Sequence, residues 1–242
     1  TTQLYHRVLN EKTERILSGQ ELETPIFLAT DVENADDMWG NYHGQMVSTM
    51  ARYHAIIKEC ASQFGGYLVR QADDTSIVFF DHGQPVHCVL AIHKRLMRTT
   101  WTVNSIPRIR IALNAVEHRQ TVMEEYAPDI YRTRRLLSAG WGGQVLMTTQ
   151  VLNSVELPPH VQVHDLGIHM LKDLGEPLRI YQLSHSDLPS REFPPLQTLS
   201  GYRQNLPAYP TLFIDREMEQ ADLATLLLNE NCRLLTLVGP GG

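Results

Sequence analysis

Met46, Met50, Tyr53, Ile57, Cys60 and Phe64 recur at steps of three and four, and the series stops at Gly65-Gly66. Such a stripe is one apolar face of a helix, and glycine just past the last periodic residue is the expected stop. The helix must lie on something. A short apolar run precedes it at 26–30, after Pro25 and ending at Asp31, and reads as a buried strand. Directly after the glycines, 67–70 and 76–80 read as two strands around Ala72-Asp73-Asp74-Thr75, a hairpin with carboxylates at its tip.

The same alternation continues along the chain. A second helix is expected over 85–98, with Val86, Val89, Leu90, His93, Leu96 and Met97 on one face. Residues 108–113 alternate charged and apolar side chains, as a half-buried strand does. A third helix over 130–139 carries Arg132, Arg134 and Arg135; such charge runs are most often a solvated face. A strand over 144–147, a helix from about 148 and a last strand over 178–183 follow. This order predicts an α+β fold, a sandwich with helices on one face of the sheet.

Composition narrows the function classes. In 242 residues, hydrophobic types make up 43% and charged types 20%, enough apolar material for a core. Lys and Arg number 21 against 27 Asp and Glu, a net charge of -6 that argues against general nucleic-acid binding by this segment. Cys60, Cys88 and Cys232 form no close pair and no metal-ligand spacing, so a reduced, cytoplasmic setting is expected. Residues 1–20 lack the apolar core of a signal peptide, and no run reaches the length of a membrane helix. His54 and His93 are expected as core histidines, and His164 and His169 lack a third ligand for zinc. After His185, Pro189, Pro194, Pro195, Pro207 and Pro210 mark a linker.

Asp31 and Asp74, both at strand ends, suit Mg²⁺, which takes few carboxylates and completes its shell with substrate phosphates. The order of segments is more specific. Phe-Leu-Ala-Thr-Asp-Val-Glu (27–33), Phe-Gly-Gly-Tyr (64–67), the Asp-bearing hairpin and Arg-Leu-Leu (135–137) resemble the class III nucleotide cyclase catalytic domain. So do Gly-Gly-Gln-Val-Leu-Met-Thr (142–148) and Leu-Gly-Ile-His-Met-Leu-Lys-Asp-Leu-Gly-Glu-Pro (166–177), followed by Ile-Tyr-Gln-Leu (180–183). The resemblance implies a ferredoxin-like βαββαβ sandwich with helices packed on a mainly antiparallel sheet. It spans a cyclase-homology domain at 25–185, after an N-terminal extension at 1–24 and before the linker at 186–212. Residues 213–242, with Leu-Leu-Thr-Leu-Val-Gly-Pro-Gly-Gly at 234–242, resemble the entry of a STAND-type ATPase domain that stops short of the phosphate-loop lysine.

That resemblance implies roles for particular residues. Asp31, Asp74 and the Val32 carbonyl would hold two divalent ions, Mg²⁺ or Mn²⁺, against the triphosphate of ATP. Arg135 would stabilise the α-phosphate during transfer. Arg70 and Glu124 take the places of the lysine and acid that read the base, and Asn34 opens the phosphate loop. The departures are specific: Tyr131 replaces the asparagine that positions the ribose, Asp73 replaces a glycine, and Asp36 and Asp37 bring charge to the phosphate loop. Active members work as head-to-tail homodimers, with the metal aspartates from one chain and the arginine from the other. The expectation is a nucleotide cyclase of a signalling protein or, alternatively, a weak or inactive homologue that senses a nucleotide or partner and regulates a downstream ATPase or transcriptional module.

Overall fold

The computed structural model describes residues 24–103, 106–116, 123–189 and 192–198, with a few isolated positions after 222. The N-terminal extension to residue 23 and nearly all of 199–242, including the ATPase-like entry, lie outside the described residues. The chain divides into two units, 1–202 and 203–242, and the fold is that of the first.

The elements run β1 (Ile26–Val32), α1 (Ala35–Gln63), β2 (Tyr67–Ala72), β3 (Thr75–Phe80), α2 (Pro85–Arg98) and β4 (Ile109–Ala115). A 3-10 turn (Met123–Tyr126) then leads into α3 (Ala127–Ala139), β5 (Val145–Thr148), α4 (Thr149–Ser154), β6 (Gln162–Met170) and β7 (Pro177–Ser184). One seven-stranded sheet has the order β2-β3-β1-β4-β5-β7-β6, and only the β4–β5 pair is parallel. Its first four strands, with α1 and α2, form the expected βαββαβ unit. The fold class is therefore α+β, as the sequence implies.

Placing the helices on one face was wrong. Ile26, Leu28 and Val32 of β1 join a core with α1, α2 and Val151 of α4. Phe27 and Ala29 join a second core with Tyr126 and with Leu136 and Leu137 of α3. Successive strand residues point to opposite faces, so a strand covered on both sides is apolar throughout. Phe27, Phe79 and Tyr126 form an aromatic trio under α3, with ring centroids 5.0–5.6 Å apart. Such pairs contribute about 0.5–1.5 kcal/mol beyond their buried area.

Two elements depart from the sequence reading. Helix α1 begins at Ala35, well before the apolar stripe, and bends at Tyr42 (φ -136°, ψ 38°). Gly40 and Gly44 flank that bend and dilute the periodicity. Strand β6 pairs along its length with β7 and has a bulge between Asp165 and Gly167. Its half-exposed, irregular pattern hid it from periodicity. Gly66 is required sterically, because a Cβ there would lie 2.7 Å from the Phe80 ring.

The first part of the proline-rich segment is tied to the domain. Leu188 and Leu196 are buried, and the Gln197 N–H donates to the Ala139 carbonyl at 2.9 Å. Trp141 Nε1 donates to the Pro195 carbonyl at 3.1 Å. The αL turn at Gly143 (φ 92°) brings Pro189 against it, where a Cβ would meet the ring at 3.2 Å.

Candidate functional site

Asp31 is the last residue but one of β1, between Thr75 of β3 and Arg110 of β4 in the register. Arg110 holds it through two parallel bonds, Nε to Oδ1 at 2.7 Å and Nη2 to Oδ2 at 2.9 Å. Burial raises the Asp31 carboxyl above its ordinary value; Arg110 opposes the rise, and the charges of Asp74 and Glu33 add to it. Asp74 sits next to Thr75 in the β2–β3 turn, half-buried, and accepts from Thr75 Oγ1 at 3.2 Å. The fold thus brings the two aspartates to one end of the sheet, where the Asp74 charge acts on the Asp31 carboxyl.

The turn itself is anchored from below. Asp73 has φ 50°, and its carbonyl lies 2.9 Å from Nε2 of His54, whose Nδ1 lies 3.1 Å from Ser76 Oγ. Neighbouring Tyr53 is fully buried, with its hydroxyl 2.6 Å from Thr30 Oγ1. Burial pushes the Tyr53 phenol far above its ordinary value. His54 is thus a structural histidine with both nitrogens engaged.

Beyond Asp31, Val32 is buried, and Asn34 is exposed in the left-handed region (φ 57°, ψ 34°) before α1. Asp36 and Asp37 are exposed in the first turn, where carboxylates favourably complement the helix dipole. They occupy electrostatically the place an anionic phosphate would take. Glu33 turns instead to the β5 side: Oε1 accepts from the Gly142 N–H at 2.7 Å, and Oε2 lies 3.2 Å from Arg108 Nε.

The arginine half is elsewhere. Arg135 of α3 donates to the Tyr131 hydroxyl from Nε at 3.0 Å and from Nη2 at 2.8 Å. Nη2 also donates to Asp173, and the guanidinium carbon lies 4.9 Å from the Tyr131 ring centre. The Tyr131 bonds, before the Asp173 charge, keep Arg135 protonated even more firmly than usual. Arg132 pairs with Glu176 beside them. Asp173 and Glu176 lie between β6 and β7, which by the strand directions is the sheet end opposite Asp31. One chain therefore does not bring Arg135 to the two aspartates. Arg70 is exposed on β2 opposite Ile77. Glu124 falls in the 3-10 turn, and its side chain lies outside the described residues.

Sequence reasoning missed Arg110, Asp173 and Glu33. A signal was present for two of them: the acids at 31 and 33 and the arginines at 108 and 110 share a spacing of two. On antiparallel neighbours that spacing sets opposite charges side by side.

A divalent cation fits the first group. A carboxylate offers about four lone-pair sites, and Arg110 uses two of those on Asp31. Asp74 and the Val32 carbonyl supply the same hard oxygen chemistry. Among the described residues, no three His, Cys, Asp or Glu side chains could hold a metal by themselves, so a ligand would have to complete the shell.

No family model matches the chain. Uncharacterized proteins of Mycobacterium tuberculosis and Mycobacterium bovis are 29% identical over 202 residues, covering 81% of this chain and 68% of theirs. Among solved structures, an adenylate cyclase of Trypanosoma brucei, described in its monomeric state, superposes with a TM-score of 0.63 at 20% identity. The match covers 74% of this chain and 96% of that one. The adenylyl cyclase CyaB of P. aeruginosa gives 0.53 at 18% identity, over 70% and 98%. The guanylate cyclase domain of RhGC from Catenaria anguillulae, in complex with GTP, gives 0.54 at 15% identity, over 69% and 98%. The seven-stranded sheet between α1, α2 and α3 is thus the fold of those adenylyl and guanylyl cyclase domains.

Proposed function

We propose that the domain is a divergent class III cyclase of a signalling protein that forms cyclic AMP from ATP, slowly and as a head-to-tail homodimer. The observation that carries this reading is the meeting of Asp31 and Asp74 at one sheet end, with Arg135 at the other. A site split in this way is completed by a second copy, whose Arg135 would face the first copy's aspartates. Asp31, Asp74 and the Val32 carbonyl would hold Mg²⁺ or Mn²⁺. The ions, two per site in this reading, would supply Lewis acidity to the ribose 3′-hydroxyl and charge neutralisation to the phosphates. The 3′-oxygen would attack the α-phosphorus, its proton would pass to solvent and pyrophosphate would leave. Arg135 would neutralise charge at the α-phosphate, as a planar two-donor fork does well. Arg70 and Glu124 would face the base, and Asn34 the phosphates.

The slowness follows from two features. Asp36 and Asp37 repel a triphosphate approaching the start of α1. Tyr131, in place of an amide, grips Arg135 rather than a ribose, so the 3′-hydroxyl would lack a positioning partner. The closed Arg135–Tyr131–Asp173 cluster favours a second reading, an inactive homologue that senses nucleotide or partner and regulates a downstream ATPase. Cyclic nucleotide formation from ATP and from GTP, each with Mg²⁺ and Mn²⁺, separates the two readings against an Asp74→Ala control. Activity above the control that rises in Tyr131→Asn supports the enzyme. Activity equal to the control in every variant, including Tyr131→Asn with Asp36→Ser and Asp37→Ser, leaves the sensor.

A further inference from the structure

Each of the two aspartates follows a residue that α1 holds. Thr30, before Asp31, shares a hydrogen bond with the Tyr53 hydroxyl, and Asp73, before Asp74, is held through its carbonyl by His54. Thr30 and Ser76 face each other in the β1–β3 register, and Ser76 Oγ lies 3.1 Å from Nδ1 of the same histidine. These partners fix the tautomer. A carbonyl can only accept, so Nε2 carries the proton and donates to Asp73 across 2.9 Å. The bare Nδ1 of the neutral ring then accepts from the Ser76 hydroxyl. His54 therefore ties the β2–β3 turn to the strand that leaves it.

The turn needs that tie. Asp73 has φ 50°, in the left-handed region that glycine enters freely and other residues enter against a steric penalty. Aspartate tolerates the region better than most, but a contact from outside the turn is needed to select it firmly. We propose that His54 is the selector: a positioning residue that acts on a bound divalent cation through the Asp73 backbone, fixing where Asp74 presents its carboxylate beside Asp31. The proposal rests on Asp31 and Asp74 as the cation's ligands and does not depend on turnover. It accounts for the departure at position 73, where a side chain from α1 does what the conformational freedom of a glycine would do.

Nitrogen NMR of the histidine rings in the unaltered full chain, at mildly alkaline pH, should find His54 with its proton on Nε2. A proton on Nδ1 would overturn the proposal, whatever the variants do. Mn²⁺ binding without nucleotide, read by electron paramagnetic resonance, is the second measurement. His54→Phe keeps a ring, loses both bonds and should weaken Mn²⁺ about tenfold, the order expected of a left-handed residue released from its tie. His54→Gln, whose amide can still donate to the carbonyl, should stay within about threefold of the unaltered protein. Asp73→Gly should make the tie dispensable, so that His54→Phe/Asp73→Gly binds Mn²⁺ as the unaltered protein does. A histidine that merely fills space predicts no such rescue. Equal affinity in the unaltered protein and a folded His54→Phe, an equal loss with and without Asp73→Gly, or a tenfold loss in His54→Gln would overturn the role of His54 and leave the two aspartates as cation ligands. No Mn²⁺ binding by the unaltered protein would overturn the aspartates as ligands, and the role of His54 with them.

Discussion

At the scale of single residues, two buried charges or dipoles set what can be changed. The Asp31–Arg110 pair is mostly shielded, with side-chain exposures of 14% and 21%. Removing the cation alone leaves a desolvated carboxylate, which costs more than the pair itself contributes. Arg110→Met should therefore lower unfolding free energy by about 2–3 kcal/mol. The double variant Asp31→Asn/Arg110→Met should recover much of that loss; urea midpoints of the three proteins give the comparison. His93 predicts a pH dependence. Its folded value of about 4 lies below the ordinary 6.5, so the unfolded chain takes up the proton first as pH falls. Above pH 6.5 the group has no effect, and between 6.5 and 4 it progressively destabilises the fold, by on the order of 3 kcal/mol at the lower end. Denaturant titrations across that range should slope more steeply for the unaltered protein than for His93→Leu. A parallel pair of curves would contradict the burial.

At the scale of elements, the ends carry the information and the weak points. Gly142 precedes β5, and a Cβ there would lie 2.5 Å from the Glu33 carboxylate. Gly142→Ala should expel Glu33, unpairing Arg108 and costing about 1–2 kcal/mol, while Glu33→Gln keeps the shape and costs less. Asn34 opens α1 in the left-handed region without a side-chain cap bond. Asn34→Gly should be neutral or slightly stabilising, and Asn34→Val should cost about 1–2 kcal/mol, both read from thermal midpoints. These ends also explain what the sequence could reveal. β1, the end of α1, the β2–β3 hairpin and α2 were legible because their apolar runs are bounded by unambiguous breakers, Gly65-Gly66 after α1 among them. The start of α1 was not, because Asp36, Asp37 and two glycines dilute the stripe that identifies the rest. Asp31 and Asp74 were legible from their places at strand ends and in the resemblance. Their partners were not: which arginine meets Asp31 depends on the β1–β4 register, and Asp173 reaches Arg135 only through the tertiary fold.

At the scale of the whole domain, residues 192–198 act as a clasp on the end of α3. Leu196 is buried in the α3 core, and Gln197 satisfies the Ala139 carbonyl that the helix leaves open. A chain ended at Tyr202 should melt as the full chain does, whereas one ended at residue 190 should lose about 3 kcal/mol. Calorimetry of the two truncations decides whether the fold stops at the linker or at the clasp. The strand order has a further effect during synthesis. β1 lies between β3 and β4, and β4 leaves the ribosome roughly 80 residues after β1, about 4–16 s later at ordinary elongation rates. Until then one edge of Ile26–Val32, apolar on both faces, has no strand beside it. An unpaired apolar edge is a template for other nascent chains. Slower translation between codons 33 and 108 should therefore lower the soluble yield, even though the finished protein has the same sequence.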